Sequence, residues 1–305
     1  MMNKNASVKV LLEDLKVSFK FAARNIMSFV LGTIGVLIVT GLLMLFLMVV
    51  FVLTLVVVMG LDGMIGLFTS FAEAFPSNPS MVTISAILIV MLPIMAPFMV
   101  AMGALFGMAR EIVESAGTTA EGVFVWYKSK FFKLAGAGLV VFSIVALPMV
   151  ALALVQNPFS STNSDPFIAA IQSALGLIWV ILSVGMTSMV FPGIIDGLSV
   201  AASLRQSLRL SWRYFDRVFS TELAFILIGL AALLPTIAYP VFLMFGVAID
   251  PILLSVVALP TMLVLGLIVF PGSIIGMTRV YMILTADETG QAPDGQPGIS
   301  MVGGV

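Results

Sequence analysis

The chain has 305 residues, 61% of them hydrophobic and 10% charged, against about 25% charged in an ordinary soluble domain. It has no Cys and no His, which excludes disulfides, thiolate chemistry, the usual zinc and copper sites and the His base of most catalytic triads. The net charge of −1 averages two unlike faces, because all 14 Lys and Arg fall outside the apolar runs.

Residues 7–25 open the chain as an amphipathic helix. Leu11, Leu12, Leu15, Phe19 and Ala22 recur at helical spacing, with Lys9, Lys16, Lys20 and Arg24 on other faces. The first apolar run, 26–61, is longer than a core of ~30 Å requires, so it tilts or protrudes. It lacks a small-residue cleavage site and reads as an uncleaved anchor. Gly, Pro, Ser and Asn over 61–80 predict an irregular external loop. The second run, 80–109, carries Pro93, Pro97 and the spacing Gly103-x-x-x-Gly107. Gly117 predicts a helix stop, and Thr118 with Glu121 predicts a capping box. An interfacial helix over about 119–133 follows, where Trp126 and Tyr127 sit beside Lys128, Lys130 and Lys133.

The third and fourth runs cover 134–156 and 167–195. A second interfacial helix is predicted over 198–217. With Leu204 at 0° and about 100° per residue, Arg205, Arg209, Arg213, Arg217, Gln206 and Asp216 fill an arc from roughly 100° to 220°. Leu204, Leu208, Trp212, Phe215, Val218 and Phe219 fill an arc from roughly 320° to 80°. Such a helix lies in the membrane interface with its arginines toward headgroups or cytosol. The last two runs are 218–249 and 251–278, and residues 287–305 have a disordered-tail composition.

Each run reaches the roughly 20 residues needed to span a bilayer. Alternate connections then place every basic residue on one side and only Asp62, Glu73, Asp165 and Asp250 on the other. By the positive-inside rule the chain is a multi-pass protein of the cell membrane with both termini cytoplasmic. The predicted fold is all-α: one domain over 1–286 with six transmembrane helices and interfacial amphipathic helices. The basic side suits anionic lipid headgroups, whereas nucleic acid is a poor partner for basic residues that hug the membrane.

Phe191-Pro192-Gly193 with Gly197 and Phe270-Pro271-Gly272 with Gly276 share the pattern F-P-G-x-x-x-G. Gly103 and Gly107 give a looser copy. Ser18-Phe19-Lys20-Phe21-x-x-Arg24 echoes Ser211-Trp212-Arg213-Tyr214-x-x-Arg217. Together they suggest a threefold repeat of a helical hairpin. Two roles are open to the small residues: close helix packing within the bundle or in an oligomer, or a broken helix lining a path.

Chemistry-bearing side chains are sparse. Asp196 is expected to pair with an arginine such as Arg205 or to cap the next helix, and Glu222 to form a local ion pair. There is no nucleophile–base pair, P-loop or dinucleotide fingerprint, so neither an enzyme nor a cofactor is expected.

Phe191-Pro192-Gly193, Asp196-Gly197, Ala202-x-x-Arg205-x-Ser207 and Trp212, followed by a new span, resemble a widespread group of six-span prokaryotic membrane proteins. That group includes uncharacterised archaeal domains and the membrane domain attached to some glycerophosphodiester phosphodiesterases. The resemblance implies a helical bundle with interfacial helices, and it carries over no catalytic residue.

The expected function is binding of lipid or of a protein partner at a basic cytoplasmic face. Arg205, Arg209, Arg213 and Arg217 would meet anionic headgroups, with Trp212 and Tyr214 as anchors. The alternative is a permease for a small or apolar solute, with a path near Pro192, Gly193, Pro271 and Gly272.

Overall fold

A computed structural model describes residues 8–77, 81–115, 117–156, 166–244 and 251–288, and among them there is no strand. The helices are α1 (Val8–Arg24), α2 (Ile26–Ser77), α3 (Met81–Ser115), α4 (Gly122–Gln156) and α5 (Pro166–Thr187). They continue as α6 (Val190–Ile195), α7 (Val200–Arg213), α8 (Phe215–Met244), α9 (Pro251–Val264) and α10 (Phe270–Glu288). A π-helical turn, Leu265–Val269, joins α9 to α10. Six segments are long and apolar enough to cross a membrane: Ile26–Ser70, Met95–Ser115, Gly122–Met149, Ala174–Ile195, Phe215–Leu234 and Ala258–Glu288. The protein is an all-α integral membrane protein.

Three local expectations are corrected. The stretch 61–77 is helical, not an irregular loop. α2 departs from helical geometry only at Gly60 (φ 74°, ψ 166°), and the hydroxyls of Thr69 and Ser70 donate back to the carbonyls of Ile65 and Gly66. Residues 122–133 form no separate interfacial helix but run continuously into the third span as α4. The capping box is not formed: α4 begins at Gly122, past Glu121, and the Thr118 hydroxyl donates instead to Glu111 Oε2 at 2.6 Å.

A fourth correction sets up the site. The helix predicted over 198–217 is two helices. α7 ends at Arg213, Tyr214 leaves helical geometry (φ −118°, ψ 42°), and α8 restarts at Phe215. The restart turns Arg217 away from the face that carries Arg205, Arg209 and Arg213.

The tightest packing lies at the basic end of the bundle. α3 runs through it, burying Val100, Ala104, Leu105, Met108 and Ile112, against Met189 and Ile194 and against Ile275, Tyr281 and Leu284 of α10. α2, by contrast, is broadly exposed along its outer half, as a helix facing lipid would be.

Span 4 is interrupted between α5 and α6, just before Pro192, which brings no backbone N–H. Backbone groups freed inside a membrane cost several kcal/mol each unless satisfied, at about that scale. α7 supplies the donors. Ser203, Ser207 and Ser211 recur every four residues, are all buried, and donate to the carbonyls of Val190 (2.5 Å), Met186 (2.6 Å) and Gly185 (3.2 Å). The break thus binds the amphipathic helix to the span.

Most of the small residues pack closely. A Cβ at Gly103 would stand 2.5 Å from Leu134, and one at Gly107 would collide with the Trp126 ring. At Gly193 it would meet the Ser203 hydroxyl, at Gly272 the Phe19 ring (2.9 Å), and at Gly276 the Phe225 ring (2.8 Å). Pro192 and Pro271 are buried in the same seams.

Gly197 is the exception. Its φ is 99°, and nothing lies within 4 Å of a Cβ placed there. Leu198 N–H bonds to the Gly193 carbonyl and Gly197 N–H to that of Ile194, the paired bonds of a Schellman stop. The two F-P-G-x-x-x-G copies therefore differ in use: one ends a helix at its second glycine, the other packs it. Gly197→Ala is expected to cost about 1–2 kcal/mol through backbone strain alone. A thermal melt of purified protein would check it, and an unchanged or raised Tm would refute the turn role.

Candidate functional site at the basic face

α7 has three faces. Ser203, Ser207, Ser211 and Leu210 are buried against the span. Next to them, Leu208 and Trp212 are uncovered, Trp212 at 74% exposure. Arg205, Arg209 and Arg213 form the third face and point outward. An apolar face left exposed by the protein, beside a basic face, is the pattern of a helix lying in a lipid–water interface. The same pairing recurs nearby. Exposed Val8 and Leu12 adjoin Lys9 and Lys16 on α1, and Val125 and Phe132 adjoin Lys128 and Lys133 on α4.

Two of the outward arginines hold a carboxylate. Arg209 Nη2 and Arg213 Nη1 both reach Glu288 in the last turn of α10, the second at 3.3 Å. The guanidinium side chains stay 63% exposed, while that of Glu288 is 9% exposed beneath them. Gln206, Arg209, Arg213, Thr285 and Glu288 line a cleft of about 260 Å³ between α7 and α10. One residue away, the Tyr214 hydroxyl donates to Asp287 Oδ2 at 2.8 Å, and the Arg213 guanidinium lies 5.5 Å from the Tyr214 ring centre. Burial and the bond to Asp287 both hold the Tyr214 phenol above its usual pKa.

Arg217, expected among the headgroup-facing arginines, is corrected to a buried position. It donates through Nε and Nη2 to both oxygens of Asp14 on α1, at 2.8–3.1 Å. Arg279 of α10 donates to Asp14 Oδ1 from the other side. Asp14, Arg217 and Arg279 are 2%, 3% and 5% exposed. One carboxylate with two guanidinia carries a net charge of +1 in the interior of the bundle.

Asp196 does pair with an arginine, but with Arg110 of α3 rather than Arg205; the N-cap of α7 is Ser199, whose hydroxyl accepts from Ala202 N–H. Glu222, expected in a local ion pair, forms none among the described residues, where its Oε2 is buried without a hydrogen-bond partner. It stands three residues from Phe219, which packs on Gly185, and three from Phe225, which packs on Gly276. Its carboxyl therefore lies on the inward side of α8.

The sequence reading missed Asp14, Arg279 and Glu288 as members of the site. A signal for Asp14 was present: Asp14, Ser18 and Ala22 fall every four residues, a buried stripe of acidic and small residues. No comparable pattern marks Glu288. Comparison with protein-family models, curated proteins and solved structures finds no match.

Proposed function

We propose that this protein is a non-catalytic membrane protein that binds anionic lipid headgroups at its basic face, and that this face is cytoplasmic. The observation that carries the reading is the three-faced α7: serines on the span, leucine and tryptophan uncovered, arginines outward. The exposed faces match the two layers of a leaflet, acyl chain and phosphate. Arg205, Arg209 and Arg213 are the residues that would meet phosphate, with Trp212 seated at headgroup depth. Arg217 is excluded because its donors are spent on Asp14.

The permease reading gains less from the geometry. Around Pro192 the carbonyls take serine hydroxyls, and Phe106 stacks on Phe191 at 5.7 Å. Around Pro271, Phe19 and Phe225 close edge-to-face at 5.7 Å over Gly272. Both seams are filled by side chains.

The test is lipid competition in proteoliposomes of phosphatidylcholine with a minor share of phosphatidylglycerol. Each arginine near an anionic surface is worth about 1 kcal/mol, so R205Q/R209Q/R213Q should lower phosphatidylglycerol enrichment around the protein by roughly tenfold or more. Unchanged enrichment would overturn the proposal.

A further inference from the structure

Two of the three arginines assigned to headgroups already hold a carboxylate. Glu288 places a carboxylate between Arg209 and Arg213, the arrangement a phosphate monoanion or diester would adopt against the same two guanidinia. Glu288 belongs to this chain, so the contact is intramolecular and forms without any ligand.

Its position in α10 is unfavourable on local grounds. Asp287 and Glu288 lie in the last turn, where the helix dipole disfavours negative charge. What holds them there is α7: two arginines on Glu288 and the Tyr214 hydroxyl on Asp287. The guanidinia are largely exposed on the side away from Glu288, so a headgroup can reach them before the carboxylate leaves. The cleft of about 260 Å³ beside them, with the Gln206 amide in its wall, leaves room for the incoming group.

We infer that Glu288 is a built-in competitor for the lipid site, an acidic latch that keeps Arg209 and Arg213 closed until an anionic headgroup displaces it. The inference rests on the lipid-binding reading and adds its regulation. Displacement exchanges one anion for another on the same arginines, so no charge is stranded. It also releases the end of α10 from α7, so occupancy by lipid is coupled to the freedom of that helix end. The latch makes binding weaker than the arginines alone would allow and shifts occupancy to a higher anionic fraction of the membrane.

The experiment is native mass spectrometry of the full chain in detergent, titrated with phosphatidylglycerol and, in parallel, with phosphatidylcholine. Three proteins are compared: wild type, E288Q, and R209Q/R213Q. E288Q preserves shape and removes the competing charge. Ion pairs whose arginines are this exposed are worth about 0.2–1 kcal/mol each, so losing two should tighten phosphatidylglycerol binding about twofold to thirtyfold, with phosphatidylcholine unmoved. R209Q/R213Q should weaken phosphatidylglycerol binding, and adding E288Q to it should restore nothing. If R209Q/R213Q weakens binding while E288Q leaves it unchanged, the latch is overturned and the lipid site stands. If R209Q/R213Q leaves phosphatidylglycerol binding unchanged, both are overturned. Equal tightening of both lipids by E288Q would also overturn the latch, because it would not depend on headgroup charge.

Discussion

Replacing Asp14 by Ala is expected to destabilise the protein by about 3–5 kcal/mol, the largest loss at the basic face. Asp14 accepts from two guanidinia, and all three side chains are at most 5% exposed. Removing the carboxylate leaves two like charges adjacent in a low-dielectric interior. Neither Arg217 nor Arg279 can reach water without unpacking α1 from α8 and α10. The same physics predicts a rescue. A buried ion cluster replaced entirely by apolar residues is often neutral or stabilising, so D14L/R217M/R279M should melt well above D14A. Thermal unfolding of the detergent-solubilised protein, followed by tryptophan fluorescence, would decide it. A D14A melting point within about 2 °C of wild type would show the cluster to be marginal.

The second large effect is steric. Gly107→Val is expected to cost about 2–3 kcal/mol by overpacking. Gly107 lies under the indole of Trp126, which cannot swing aside, because its Nε1 donates to Glu111 Oε1 at 2.7 Å. Glu111 is in turn fixed by the Thr118 hydroxyl at 2.6 Å. Gly41 is the control: nothing lies within 4 Å of a Cβ there, so Gly41→Ala should be neutral or slightly stabilising through helix propensity. A melt in which G107V and G41A behave alike would show that α3 and α4 have slack where the packing leaves none.

The six spans were legible because hydrophobic length is a local property, and no tertiary contact is needed to read it. For the glycines at 103, 107, 193, 272 and 276 the sequence left packing and a path both open, and only the rings and side chains beside them show the close packing. The errors arise where a polar residue chooses between water and a partner. Arg217 shares an arc with Arg213 on an unbroken wheel, and only the break at Tyr214 turns it inward. Its partner lies 203 residues away, and that of Arg279 lies 265 residues away. The serines at 203, 207 and 211 belong to neither the arginine arc nor the apolar arc of the wheel, and they form the face that touches protein. Periodicity shows that a helix has sides but does not say which polar side is buried.

The Asp14 cluster also fixes an order of events during synthesis. The ribosome delivers Asp14 well before Arg217 and Arg279, so the carboxylate waits unpartnered while the intervening spans are inserted. Until then the buried face of α1, with Asp14 on it, has no arginine to pack against. Arg217 supplies the first counter-charge, and Arg279 completes the three-residue cluster only once α10 has emerged. α1 is thus made before the residues that seat it, and a chain halted before α10 would hold Asp14 with only one of its two arginine partners.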